Sequence, residues 1–130
     1  MENRYGFGKT VAMPFDAALE KTTQELQKEG FGILTEIDVA TTLKKKLNQD
    51  IPPYRILGAC NPPFAHRALT AEPTVGLLLP CNVVVRQDDA GAVHVECMDP
   101  KIMSELSNNT DLQQVAAEVR ARLKRVIAAL

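Results

Sequence analysis

Three cysteines, Cys60, Cys81 and Cys97, offer this chain most of its capacity for chemistry. They stand far apart, with no CxxC and no paired His motif, so neither a disulfide framework nor a zinc ribbon is encoded and reduced thiols are expected. Cys60 directly precedes Asn61 and Pro62, a good cap residue followed by a proline suited to the first helical position. A thiol there would lie near unpaired N–H groups and the positive end of a helix dipole, both of which favour thiolate. The same position equally suits a small, softly apolar residue packed beneath the helix. Cys60 and Cys81 are each followed by Asn, and each closes or opens an apolar strand beside a proline. If those strands are neighbours, Cys60, Asn61, Cys81 and Asn82 meet at one end of a sheet. That would form a polar pocket with two sulfurs, suited to a soft metal such as Cu(I) or Zn, or to thiol redox chemistry.

Tyr54 and His66 are the remaining candidates around such a pocket. His66 follows Cys60 by six residues and projects from the second turn of the helix, so only the tertiary fold could bring it to the sulfur. His94 has the opposite strand parity from Cys97 and is expected to face solvent or a second chain, whereas Cys97 shares the core parity of Val93 and Val95. Glu36 and Asp38 share one strand face about 7 Å apart at roughly 3.3 Å per residue, a spacing that resembles a catalytic carboxylate pair. With Lys44, Lys45 and Lys46 just downstream, they read first as a solvated charge cluster in which Asp38 caps a helix.

Periodicity supplies the elements that would hold these residues. Gly6 to Val11 reads as a first strand, and Phe15, Ala18, Leu19, Thr22 and Leu26 recur at helical spacing up to Gly30. Phe31 to Asp38 alternates as a strand, a helix follows from Val39 to about Asn48, and Tyr54 to Ala59 is a short apolar strand. After the helix opened by Asn61, the run Val75 to Leu79 reads as a strand piece interrupted by Pro80, with Cys81 to Val85 continuing it. Asp88 to Gly91 predicts a type I turn with Gly in the left-handed bulge position, returning into Val93 to Cys97. Asp99 and Pro100 open a short helix, and Thr110 with Gln113 has capping-box spacing for a long last helix to Leu130. The order predicts an α+β fold in which one antiparallel β-sheet packs against the two long helices, first and last, with short helical insertions.

Composition narrows the classes. A chain of 130 residues with 45% hydrophobic and 24% charged residues suits one globular domain over positions 1–130 and argues against disorder. Fifteen Lys and Arg against sixteen Asp and Glu leave a net charge of -1, which removes the bulk case for a nucleic-acid or anionic-membrane partner. The basic residues Arg120, Arg122, Lys124 and Arg125 suit the negative end of the last helix. Met1 to Val11 has no apolar stretch, and the apolar region Val75 to Val85 is broken by Gly76, Pro80, Cys81 and Asn82. No leader, anchor or membrane span is expected, and a cytoplasmic protein is. GxGxxG and GxxxxGK[ST] are both absent from the sequence.

Seven blocks together resemble the domain of unknown function 302 (DUF302) family, an uncharacterised bacterial and archaeal family. They are GFGKTV at Gly6 to Val11, the helix from Phe15, GFGILTEIDV at Gly30 to Val39, TLKKKL at Thr42 to Leu47, YRILGACNP at Tyr54 to Pro62, AHRAL at Ala65 to Leu69, and GLLLPCNVVV at Gly76 to Val85. The resemblance implies a compact α+β domain of the TATA-binding-protein type and a homodimer, and it carries no established catalytic residue. The expected function is that of a homodimeric protein binding a soft metal or small ligand in a thiol-lined pocket at Cys60 and Cys81, with redox chemistry as an extension. Asn61 and Asn82 would orient the guest, and Tyr54 and His66 would support it. The alternative is a non-catalytic assembly module with structural cysteines, in which Val75 to Leu79 supplies a subunit contact. A carboxylate-based hydrolase or transferase at Glu36 and Asp38 ranks third.

Overall fold

The computed structural model describes residues 2–130. Five strands form one antiparallel sheet in the order β1-β5-β4-β3-β2: β1 (Gly6–Val11), β2 (Gly32–Asp38), β3 (Tyr54–Cys60), β4 (Cys81–Gln87) and β5 (Val93–Met98). Strand alternation sends successive side chains to opposite faces, and the register aligns their apolar rows. Phe7 lies opposite Cys97, Cys97 opposite Val83, and Val83 opposite Leu57, none more than 2% exposed. Val95 and Val85 form a second buried pair on the same face.

That face carries the two long helices. α1 (Phe15–Lys28) packs on β4 and β5 through Ala18, Thr22 and Leu26, and α5 (Thr110–Ala128) packs on β5 and α1 through Leu112, Val115, Val119, Leu123 and Val126. Three short helices, α2 (Val39–Leu47), α3 (Pro62–Ala71) and α4 (Lys101–Leu106), complete the α+β architecture expected from the sequence. The opposite sheet face is mixed. Arg86 pairs with Glu96 at 2.7 Å, and His94 is held between Thr10 Oγ1 and Asp88 Oδ2, each at 2.8 Å. His94 is therefore engaged within the chain instead of standing free in solvent.

The end of α1 sets the direction in which the chain enters β2. Gly30 adopts φ +87°, Phe31 N donates to Leu26 O and Gly30 N to Gln27 O, both at 3.0 Å, which is a Schellman closure. Leu26 and Phe31, the two residues this closure brings together, are both buried. The β4–β5 turn also forms as expected: Gly91 has φ +89°, and Asp88 Oδ1 accepts from the amides of Ala90 and Ala92.

Two expectations change. Val75 to Leu79 is not a strand, because Pro73–Leu78 forms a 3-10 helix in which Val75 alone is buried and Leu77 is 89% exposed. A short apolar run carries no period that separates these states, and Pro73 pre-sets a helical start. The cap of α5 is Asn109 rather than Thr110: Asn109 Oδ1 accepts from Leu112 N at 3.1 Å, while Gln113 Nε2 reaches back to Ser107 O.

Gly30→Ala is expected to lose about 1–2 kcal/mol in urea denaturation, because a Cβ at positive φ is strained and would approach Asn61 Nδ2 at 3.1 Å. Asn109→Ala should lose about 1 kcal/mol while Thr110→Ala loses clearly less. Equal losses at 109 and 110 would remove the cap assignment.

Candidate functional site

A cavity of about 320 Å³ lies at one end of the sheet. Its sheet side is made by Ala59 and Cys60 at the end of β3 and by Cys81 at the start of β4. Phe64, Ala65, Ala68 and Leu69 of α3 form the facing wall, Met103 of α4 and Val115 and Val119 of α5 close the interior, and Phe31 and Leu34 complete the β2 side. α3 can present this stripe because positions 64, 65, 68 and 69 share one helical face. The mouth is apolar as well, with Leu34 and Leu69 both exposed.

Cys60, Asn61 and Cys81 are thus brought to one cavity, as the sequence suggested. Their relation differs from a facing pair. The register sets Cys81 opposite Ala59, so strand alternation gives Cys60 the other parity. Burial pushes the Cys81 thiol up to about 11, with the neighbouring Cys60 adding to the rise. Cys97 lies deeper on the same face as Cys81, where burial, then Cys81, then Glu96 push its thiol up to about 12. Both stay protonated at neutral pH.

Asn61 occupies the N-cap position of α3 and is 7% exposed, yet it makes no cap bond. The next two residues are Pro62 and Pro63, which have no N–H to offer. Its Nδ2 donates instead to Glu29 O at 3.1 Å, and Arg122 Nη1 donates to the same carbonyl at 3.0 Å. The two prolines also thin the group of free amides expected beside Cys60.

The other candidates do not join the cavity. Asn82 is adjacent to Cys81 in β4 and so takes the opposite sheet face, where it is exposed and shares a separate hollow with Tyr54, Tyr5 and Glu96. His66 is exposed on α3, a hundred degrees of helix away from Ala65, and borders no part of the wall. Among the described residues no three His, Cys, Asp or Glu side chains gather to hold a metal. Two sulfurs, one of them held as a thiol, do not make the closed four-ligand set of a structural zinc site.

Glu36 and Asp38 are not a free acid–base pair, since Arg55 bridges both carboxylates. Asp38 caps α2 by accepting from Thr41 N at 2.9 Å, and that amide, before Arg55, holds its carboxyl below the usual range. The basic residues of α5 are likewise spent inside the chain. Arg120 pairs with Asp99, Arg125 with Glu29, Lys124 with Glu2, and Arg122 lies 5.1 Å over the Phe64 ring.

Phe31, Phe64, Met103, Val115 and Val119 were legible as apolar-face residues, but nothing in their spacing distinguishes a cavity wall from solid core. No helix among the described residues is long and apolar enough to cross a membrane.

Comparison with known proteins gives the same overall fold. The crystal structure of the uncharacterized conserved protein DUF302 from Bacillus stearothermophilus superposes with a TM-score of 0.87 at 29% identity, covering 97% of this chain and 98% of that one. Among curated proteins none matches. The family model described as "Domain of unknown function DUF302" matches residues 7–130, nearly the whole sequence, and the chain belongs to that family.

Proposed function

We propose that this chain is a small-ligand-binding protein whose site is the cavity between α3, α4, α5 and the ends of β3 and β4. One observation carries the reading: a concavity of about 320 Å³ whose wall is hydrocarbon and sulfur apart from the Asn61 amide. Interiors normally leave few voids larger than a water molecule, and ligand sites are concave, apolar and of this size. Cys60 and Cys81 serve here as soft, polarizable wall. The raised pKa of Cys81 lowers its thiolate fraction, and thiolate is the form that ligates metals and attacks electrophiles.

The test is titration of the full chain with N-phenyl-1-naphthylamine, an uncharged fluorophore that brightens in apolar surroundings. A saturable rise in emission is expected. Ala65→Phe, which fills the cavity from a half-buried position, should weaken binding by about tenfold or more. Leu69→Trp at the mouth serves the same purpose if Ala65→Phe melts early. Unchanged affinity in a folded variant would remove the cavity as the site.

The thiols yield a pH prediction. Cys81 and Cys97 bind their protons more tightly folded than unfolded, so their contribution to stability is intact below pH 9.0, the ordinary thiol value, and is lost as pH rises toward 11 and 12. Urea midpoints should fall over that range, and fall less in a Cys81→Ala/Cys97→Val variant. At neutral pH iodoacetamide should leave both residues unmodified in the folded chain. Rapid alkylation of Cys81 would reinstate thiol chemistry.

A further inference from the structure

The wall also narrows the class of guest, an inference that rests on the cavity being the binding site proposed above. Asn61 carries the one side-chain nitrogen or oxygen among the described residues that border the cavity, and no Lys, Arg, His, Asp or Glu borders it. That amide is more than nine-tenths buried. Its Nδ2 is committed to Glu29 O and it makes no bond to the helix it precedes, so a bond to a guest falls to Oδ1. The nearby cation Arg122 gives Nη1 to Glu29 O and lies over Phe64, keeps its Nε buried without a hydrogen-bond partner, and does not border the cavity.

Three kinds of guest meet this wall differently. A charged molecule loses hydration and finds no countercharge. A pure hydrocarbon is accepted by the apolar surface but strips water from Oδ1 without replacing its hydrogen bond. A neutral molecule with one donor satisfies both surfaces. Size adds a limit: the cavity has about twice the ~150 Å³ that houses a benzene ring.

We propose that the cavity selects an uncharged, largely hydrocarbon molecule of about two fused rings in volume, which presents one hydroxyl or N–H donor to Asn61 Oδ1.

The test uses the full chain and three probes of one shape, 2-naphthol, 2-methoxynaphthalene and 2-naphthoate, titrated by calorimetry at neutral pH. 2-Naphthol should bind tightest. The methyl ether, which has no donor, should bind about fivefold more weakly. The carboxylate should bind about tenfold or more weakly. Asn61→Ala should erase the preference of naphthol over its ether, and the ligand series stands without it if that variant is unstable. A methyl ether that equals naphthol, or a naphthoate that equals or exceeds it, would overturn this class. The cavity itself survives either result if Ala65→Phe still weakens binding. Failure of all three probes and of N-phenyl-1-naphthylamine would overturn both the class and the site.

Discussion

A single backbone carbonyl, Glu29 O, ties together the elements on which the cavity depends. It is an orphan acceptor at the C-terminus of α1, where the Schellman closure at Gly30 turns the chain toward β2. Asn61 brings the β3–α3 junction to it, and Arg122 brings the middle of α5. The Glu29 side chain adds Arg125, so one residue joins the first helix to the last. The two bonds to the carbonyl lie partly out of water, where an unmade partner would be costly. The left-handed glycine is what aims the carbonyl, and the prolines after Asn61 are what free the asparagine to reach it.

The same arrangement separates charge from the cavity. Arg122 donates to Glu29 O and lies over Phe64, with its Nε buried and unpartnered. Arg120, Lys124 and Arg125 are drawn to acidic partners on α5's own side of the molecule, and Arg55 gathers the β2 carboxylates at the far sheet edge. The charged groups are thereby paired at the surface, and the concavity is left to hydrocarbon, sulfur and one amide. Burial then acts on sulfur as it acts on any ionisable group, disfavouring the charged form. Burial thus holds Cys81, on the cavity wall, in its neutral form.

The local grammar of the chain was largely readable. The turn at Asp88–Gly91, the helix stop at Gly30, the Asp38 cap and the long apolar stripe of α5 each rest on interactions within a few residues, and each formed. Where neighbours competed, reading was weaker. Asn109 took the cap offered to Thr110, and a run from Val75 to Leu79 with no decisive period became a 3-10 helix. The site was half legible. Cys60, Asn61 and Cys81 do share a cavity, because β3 and β4 are antiparallel neighbours. Asn82, Tyr54 and His66 do not, because a residue adjacent in a strand or one step round a helix is turned to another side.

The sequence alone determined the element types outside the Val75–Leu79 run, the antiparallel α+β class, the family and the inward parity of Cys81 and Cys97, since periodicity and turn chemistry act over short stretches of chain. Tertiary structure alone decided that β3 pairs with β4 in the register that sets Ala59 against Cys81. It also decided that Glu29 O would recruit Asn61 and Arg122, and that α3 and α5 would stop short of closing over the strand ends. Those outcomes depend on contacts between residues up to 93 positions apart, and a one-residue change of register would have exchanged the faces and dispersed the site.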